Sequence, residues 1–233
     1  IVQALVRRLT FESDSTNTTS RTLQFVLTDG DGGASAPTFR VLEINRPPVA
    51  IQDYITENHI QETPLRQGDP GPAVNLPVPE GWQVNSELPE APYGAIVYSN
   101  SAVPSNPPRI LAIFEKLTGN VDPDQLLALA PGELQNLEGY DGPTEGSRDS
   151  LGGYDAVQLG GHYNVNGKQG MVAQKTVVIP GSDGVYILQL NAYSDESEAD
   201  VLMDATNLVD EQTTAPRRQF RRGRKAKAAP AVV

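Results

Sequence analysis

Three strand-like segments follow one another with only tight turns between them, and this feature constrains the fold more than any other. The segments are 154–163, 171–179 and 185–192. Asn166-Gly167 joins the first pair, and a turn at Gly181–Gly184 joins the second. Both connections are typical of β-hairpins, whose turns favour asparagine and glycine. Strands joined by hairpins pair antiparallel, so the sequence predicts an antiparallel sheet.

Helical patterns flank these strands. A short amphipathic helix is predicted at 51–60, and the last helix at 195–212. Asp122 followed by Pro123 predicts another helix start, because aspartate caps helix N-termini and proline suits the first turn. Pro131 is expected to kink that helix or to begin a second turn.

Further strands are expected at 94–99 and 109–117, with an extra one at 73–78. Residues 46–215 are therefore predicted to fold as an α+β sandwich, in which helices cover an antiparallel sheet.

Residues 1–45 show a different, purely β-type alternation, with Leu23, Phe25 and Leu27 as one example. This length is about half of a typical sandwich of roughly 100 residues. We therefore expect a partial all-β sandwich, the C-terminal fragment of a β-domain, in a chain excised from something longer. The link Asn45–Val49 contains two prolines that lack a backbone donor, which predicts a domain boundary there.

The formal net charge of −11 is unevenly distributed. Seven of the 18 basic residues lie between Arg217 and Lys227, which leaves 11 against all 29 acidic residues, or −18, in the part before residue 217. Residues 216–233 are expected to form a disordered basic tail, either simply solvated or in contact with a polyanion. The acidic body repels a phosphate backbone, so nucleic-acid binding is not expected. No apolar run reaches the roughly 18 residues of a membrane span.

The sequence offers no positive case for an enzyme. It has no cysteine and two histidines, His59 and His162, which argues against thiol chemistry and a multi-histidine metal centre. It contains no G-x-S-x-G elbow and no phosphate-binding loop. Asp155 and Glu115 are the least implausible catalytic carboxylates, and no cofactor is required.

One acidic turn contains candidate metal ligands. Asp29 and Asp31 alternate with glycines in the segment Thr28–Gly33, where two carboxylates could supply oxygen ligands to Ca²⁺. Asp-Gly pairs also form ordinary β-turns, so the alternative is a turn without metal.

Aromatic residues fall in or beside the predicted strands, where most are expected in the core. A sheet roofed by helices can also leave an apolar groove open at one edge. The candidate groove residues are Trp82, Tyr93, Phe114, Tyr154 and Tyr163.

Two resemblances add to this interpretation. The stretch RTLQFVLTDGDGGASAPTFRVLEINRPP resembles the C-terminal half of bacterial cadherin-like tandem repeats, which implies a modular, often adhesive surface protein that binds Ca²⁺ in some members. Residues 51–214 resemble the LpqN/LpqT family of mycobacterial envelope lipoproteins, through segments such as IQDYITENHIQETPLRQGDPG, EKLTGNVDP, LGGYDAVQLGG and AQKTVVIPGSDGVYILQLNA.

The second resemblance implies a PsbP-like α/β/α sandwich, an extracytoplasmic location and an accessory role in building the envelope. It also implies lipid or glycolipid ligands, trehalose-linked lipids among them, and envelope transport proteins of the MmpL type as partners. The leading hypothesis is thus a non-enzymatic envelope protein. The alternative is a structural or adhesive module in which the LpqN-like domain caps an array of cadherin-like repeats. A hydrolase acting on cell-wall esters is a third, weaker hypothesis.

Overall fold

A division between Pro47 and Pro48 separates the chain into two structural units, and it falls inside the predicted link. The computed structural model describes residues 21–28, 30–42, 48–86 and 88–215. In the first unit, β1 (Arg21–Phe25) pairs antiparallel with β2 (Thr38–Leu42). Phe39 and Val41 on β2 are exposed.

The second unit contains eight strands and three helices among its described residues. The strands are β3 (Gln61–Pro64), β4 (Trp82–Val84), β5 (Gly94–Tyr98), β6 (Arg109–Thr118), β7 (Ser147–Leu151), β8 (Tyr154–Val165), β9 (Lys168–Pro180) and β10 (Val185–Asp195). The helices are α1 (Ile51–Glu57), α2 (Pro123–Gln135) and α3 (Ala199–Gln212), with a 3₁₀ turn at Glu196–Glu198 before α3.

All eight strands join one antiparallel sheet. Its order is β4-β5-β6-β10-β9-β8-β7, and β3 pairs with β6 beyond the end of β5. The predicted hairpins are confirmed. Asn166 and Gly167 between β8 and β9 have φ angles of 50° and 77°, which fit a two-residue hairpin turn.

Helices cover both faces of the sheet. Alternate residues of a strand point to opposite faces, so Ile187 of β10 packs beneath α1 and α2, whereas Leu188 lies in the core beneath α3. Leu202, Ala205 and Val209 form the buried stripe of α3. The mixed α and β architecture with an antiparallel sheet is therefore confirmed for this unit.

Short strands were missed by the sequence patterns. β3, β4 and β7 have three to five residues each, too few for an alternation to stand out, and β3 pairs with a strand about 50 positions away. The predicted strand at 73–78 is wrong. That segment makes one isolated bridge, between Asn75 and Thr214, and Pro77 within it lacks the amide that regular pairing needs.

Helix α2 starts as predicted, with the Asp122 carboxylate accepting hydrogen bonds from the backbone amides of Asp124 and Gln125. The helix continues through Pro131 to Gln135 as one element. Pro131 is itself buried, and the packing of α2 against the sheet offsets the one backbone hydrogen bond that proline removes.

Gly132 lets α1 and α2 approach each other closely. A Cβ at this position would overlap the carbonyl oxygen of Val49 and lie 3.1 Å from the Cα of Ala50. We expect Gly132→Ala to lower the free energy of unfolding by about 2 kcal/mol, because overpacking outweighs the higher helix propensity of alanine. Urea denaturation measures the change.

Ala128→Gly, at an exposed position of the same helix, is the matched control and should cost about 1 kcal/mol through helix propensity alone. A Gly132→Ala variant as stable as the wild type would contradict this account of the α1–α2 contact.

Candidate ligand-binding groove

Polar contacts hold both ends of α3 over the sheet. At its start, the buried Glu198 carboxylate accepts hydrogen bonds from the Ser101 hydroxyl at 2.6 Å and the Ala102 amide at 2.9 Å. Beyond its end, the backbones of Thr214 and Asn75 bond to each other in both directions. The helix is thereby fixed to two loops that lie far apart in sequence.

A cavity of about 360 Å³ lies between α3 and the strands β8, β9 and β10. Its apolar wall includes Met171, Ala173 and Leu190 of the sheet together with Met203 and Val209 of α3. Met171 and Met203 are the only methionines in the chain. We call this space the first cavity.

A buried cation lies at the wall of the first cavity. Lys175 is 6% exposed in its side chain, and its Nζ lies 2.8 Å from Asp149 Oδ2 of β7 and 2.6 Å from Asp210 Oδ2 of α3. The carboxylates themselves are partly exposed, at 40% for Asp149 and 32% for Asp210. Two negative charges around one positive charge give this cluster a net negative charge.

The two carboxylates differ in their pKa shifts. The hydrogen bond from Lys175 lowers the pKa of Asp149 below its ordinary value. Burial raises the pKa of Asp210, and this outweighs the lowering effect of the same lysine. The difference follows from exposure, because Asp210 loses more contact with water than Asp149 does.

Two further cavities continue along the same face of the sheet. The bridge cavity, of about 50 Å³, shares Ile110, Leu190 and Val209 with the first cavity. The far cavity, of about 630 Å³, lies beneath the segment 65–76 and shares Gln67, Leu76 and Val84 with the bridge cavity.

The structure distributes the predicted groove residues over four places. Tyr93 and Phe114 line the far cavity, with their ring centroids 5.0 Å apart. Tyr154 lines a separate cavity of about 470 Å³ beside the turn at 181–183. Trp82 is buried next to Tyr98, in the hydrophobic core that also contains Tyr93 and Phe114.

Tyr163 is not brought together with the other four. It is buried on the opposite face of the sheet, near Tyr193. Its position on β8 fits the expected strand, but an alternation pattern does not reveal which helix covers which face.

The first cavity depends on residues that the sequence patterns did not single out. Met171, Lys175 and Met203 come from two elements and meet only in the folded chain. One signal was present in the sequence: Lys175 lies, with Gln174 and Thr176, between the apolar stretches MVA and VVI of one strand, and a lysine in such a place needs a partner.

The predicted metal residues lie in the first unit. Asp29 is outside the described residues, and Asp31 is exposed in the turn. Within the described ranges, no three histidine, aspartate or glutamate side chains come close enough together to hold a metal ion.

The histidines occupy surface positions. His59 follows α1 with a positive φ of 52°. His162 lies within β8, where its Nδ1 is 2.7 Å from Glu196 Oε2.

Comparisons with known proteins identify the family. Residues 47–215 match the family model described as "Probable lipoprotein LpqN". The chain is 55% identical to Lipoprotein LpqN of Mycobacterium tuberculosis over 169 residues, which cover 72% of this chain and 74% of that protein.

A solved structure is similar as well. The crystal structure of LpqN, described as involved in cell envelope biogenesis of M. tuberculosis, aligns with a TM-score of 0.72 and 53% identity, covering 74% of this chain and all of that one. The second unit is thus an α+β lipoprotein-type domain. The chain belongs to the LpqN lipoprotein family, which confirms the resemblance found in its sequence.

In the part of the chain that the structure describes, no helix has the length and apolar character needed to cross a bilayer.

The Lys175 cluster predicts a characteristic pH dependence. Asp149, with its lowered pKa, contributes stability above its ordinary pKa that is lost as the pH falls through the lowered value. Asp210, with its raised pKa, lowers the stability of the fold progressively as the pH rises from its ordinary pKa to the raised value, and the cost persists above that value. Lys175→Met removes the cation that stabilises both charged carboxylates. We therefore expect the free energy of unfolding to fall by about 3 kcal/mol at pH 7.

In this variant, the free energy of unfolding should rise as the pH is lowered from about 7 to about 4, because protonation discharges the two carboxylates. Denaturant titrations at several pH values measure it. Lys168→Met is the control, because it removes the same charge at an exposed position of the same strand. It should neither lower the stability at pH 7 nor make it rise as the pH is lowered. An equal loss in both variants would argue against the cluster.

Proposed function

We propose that this protein is a non-enzymatic, extracytoplasmic component of the cell envelope that binds a lipid or glycolipid. The observation that carries the proposal is the first cavity, whose apolar wall is formed by α3 and the sheet. The extracytoplasmic location agrees with the lipoprotein names of the family and of the M. tuberculosis relative. The solved relative, LpqN of M. tuberculosis, is involved in cell envelope biogenesis, which supports the same setting.

The composition of the cavity wall suits a flexible apolar ligand. Methionine has an unbranched, polarizable side chain that adapts to ligands of different shape, and both methionines of the chain line this space. Met203 remains 48% exposed at the edge of the cavity, where apolar surface has no protein to cover it. Bound hydrocarbon would remove this surface from water.

Charge favours a neutral headgroup over an anionic one. Between residues 48 and 215 the sequence has six basic and 24 acidic residues. Lys175, at the cavity wall, is already offset by two carboxylates. A phosphate would meet net negative charge there, whereas sugar hydroxyls could donate to the partly exposed carboxylate oxygens. A neutral glycolipid is therefore the favoured ligand class.

Envelope transport proteins are the proposed protein partners, and a PsbP-like sandwich is the proposed finer fold class. For the first unit, the proposed origin is the end of a cadherin-like repeat, supported by the exposed Phe39 and Val41 on its paired strands. Calcium binding at Asp29 and Asp31 stays a prediction. Together these features form the alternative proposal, a surface module in which the second unit caps a repeat array.

Lipid extraction followed by mass spectrometry tests the leading proposal. The full chain, purified from a mycobacterial host, should carry a neutral glycolipid in stoichiometric amount. Met203→Glu places a charge at the edge of the first cavity and should reduce the lipid content at least about tenfold, because a buried carboxylate is costly beside hydrocarbon.

Gln212→Glu adds the same charge to the same helix outside the lining of the first cavity and should leave the lipid content unchanged. Wild-type protein that is purified without lipid would favour the alternative proposal, a surface module in which the second unit caps a repeat array. Equal lipid loss in both variants would show that the lipid is not held in the first cavity.

A further inference from the structure

The three cavities beneath α3 and the segment 65–76 lie side by side and share lining residues. Ile110, Leu190 and Val209 line both the first and the bridge cavity. Gln67, Leu76 and Val84 line both the bridge and the far cavity. Each pair of neighbouring spaces therefore meets at the same side chains.

We propose that these spaces act as one channel for a single unbranched hydrocarbon chain, which passes from the first cavity beside Val209 into the far cavity. This inference rests on the lipid-binding function proposed above. It adds that the ligand class is defined by chain length and by the absence of branches or rings in the tail.

The size of the bridge cavity limits what can pass. It measures about 50 Å³, well below the roughly 150 Å³ of an apolar cavity known to bind benzene. A methylene chain is the slimmest apolar group available to a lipid. A ring or a branched tail is therefore stopped in the first cavity, while an unbranched chain continues.

The chemistry of the bridge cavity selects hydrocarbon. Gln67 is the one polar side chain among the described residues that line it, and none of them is charged. Ile96, Ile110 and Leu190 are buried parts of this wall. A headgroup has no partner in this section except Gln67, so the headgroup stays at the Lys175 end and the tail occupies the bridge.

Chain length then governs affinity. Each buried methylene strengthens binding by about fourfold. A chain that ended in the first cavity would stop gaining affinity once that cavity was filled. A chain that enters the channel continues to gain affinity over a longer range of lengths.

The experiment uses the full chain and neutral monoacylglycerols with tails of about 8 to about 18 carbons. The lipids are delivered from cyclodextrin. Their affinity is measured by the displacement of a fluorescent fatty-acyl probe. We expect affinity to rise through the series for unbranched tails. A methyl-branched tail with the same carbon number as the longest unbranched one should bind at least about tenfold more weakly.

Val84→Trp tests the route. Val84 is 63% exposed and lies where the bridge and far cavities meet, so tryptophan is tolerated there and obstructs the far cavity. It should weaken binding of the longest tails by about tenfold and leave the shortest unchanged. Val78→Trp, at a 46% exposed position of the bridge wall, provides a second obstruction.

Val49→Trp is the matched control. Val49 is 55% exposed and lies in a different cavity beside α2, so its replacement should not alter the length dependence. Wild-type protein that binds short and long tails equally, or branched and unbranched tails equally, would overturn the channel and leave lipid binding intact. Protein that binds no tail of any length would overturn both proposals.

Discussion

Strand β10 is the element on which both cores of the second unit depend. It bonds to β6 along one edge and to β9 along the other, which makes it a central strand of the sheet. Its side chains alternate between the two faces, so Ile187 belongs to the core under α1 and α2 and Leu188 to the core under α3. A slip by one residue would exchange these two sets, and the length of both pairings opposes it.

Three neighbouring cavities lie along the face of the sheet that α3 covers. Protein interiors normally pack about as densely as organic crystals, so a series of neighbouring cavities within the fold calls for an explanation. Helix α3 is positioned by Glu198 at one end and by Asp210 at the other, and these polar contacts do not require the apolar space between them to close. The family's link to the cell envelope makes a lipid a physically consistent occupant of that space.

Local chemistry made much of the fold predictable. Asn166 and Gly167 fix a hairpin through their own backbone preferences, and Asp122 caps α2 with its own carboxylate. The short strands were not predictable in this way, because β4 consists of three residues and its pairing with β5 is what makes it a strand. Pro131 likewise remains helical through packing, against its local preference.

The candidate site was only partly accessible to sequence reasoning. The aromatic pattern led to Tyr93 and Phe114, which do line a cavity, but it also included Tyr163, which lies on the other face. The methionines and Lys175 were missed, because no spacing in the sequence joins β9 to α3.

The sequence by itself determined the antiparallel pairing, the main helix positions, the acidic character of the body and the family, since each depends on neighbouring residues or on an ordered series of motifs. The tertiary structure alone decided which face each strand presents to which helix and where space is left between them. Both depend on the packing of elements such as β7, β9 and α3, whose residues are distant in the chain. Asp149, Lys175 and Asp210 meet for that reason only.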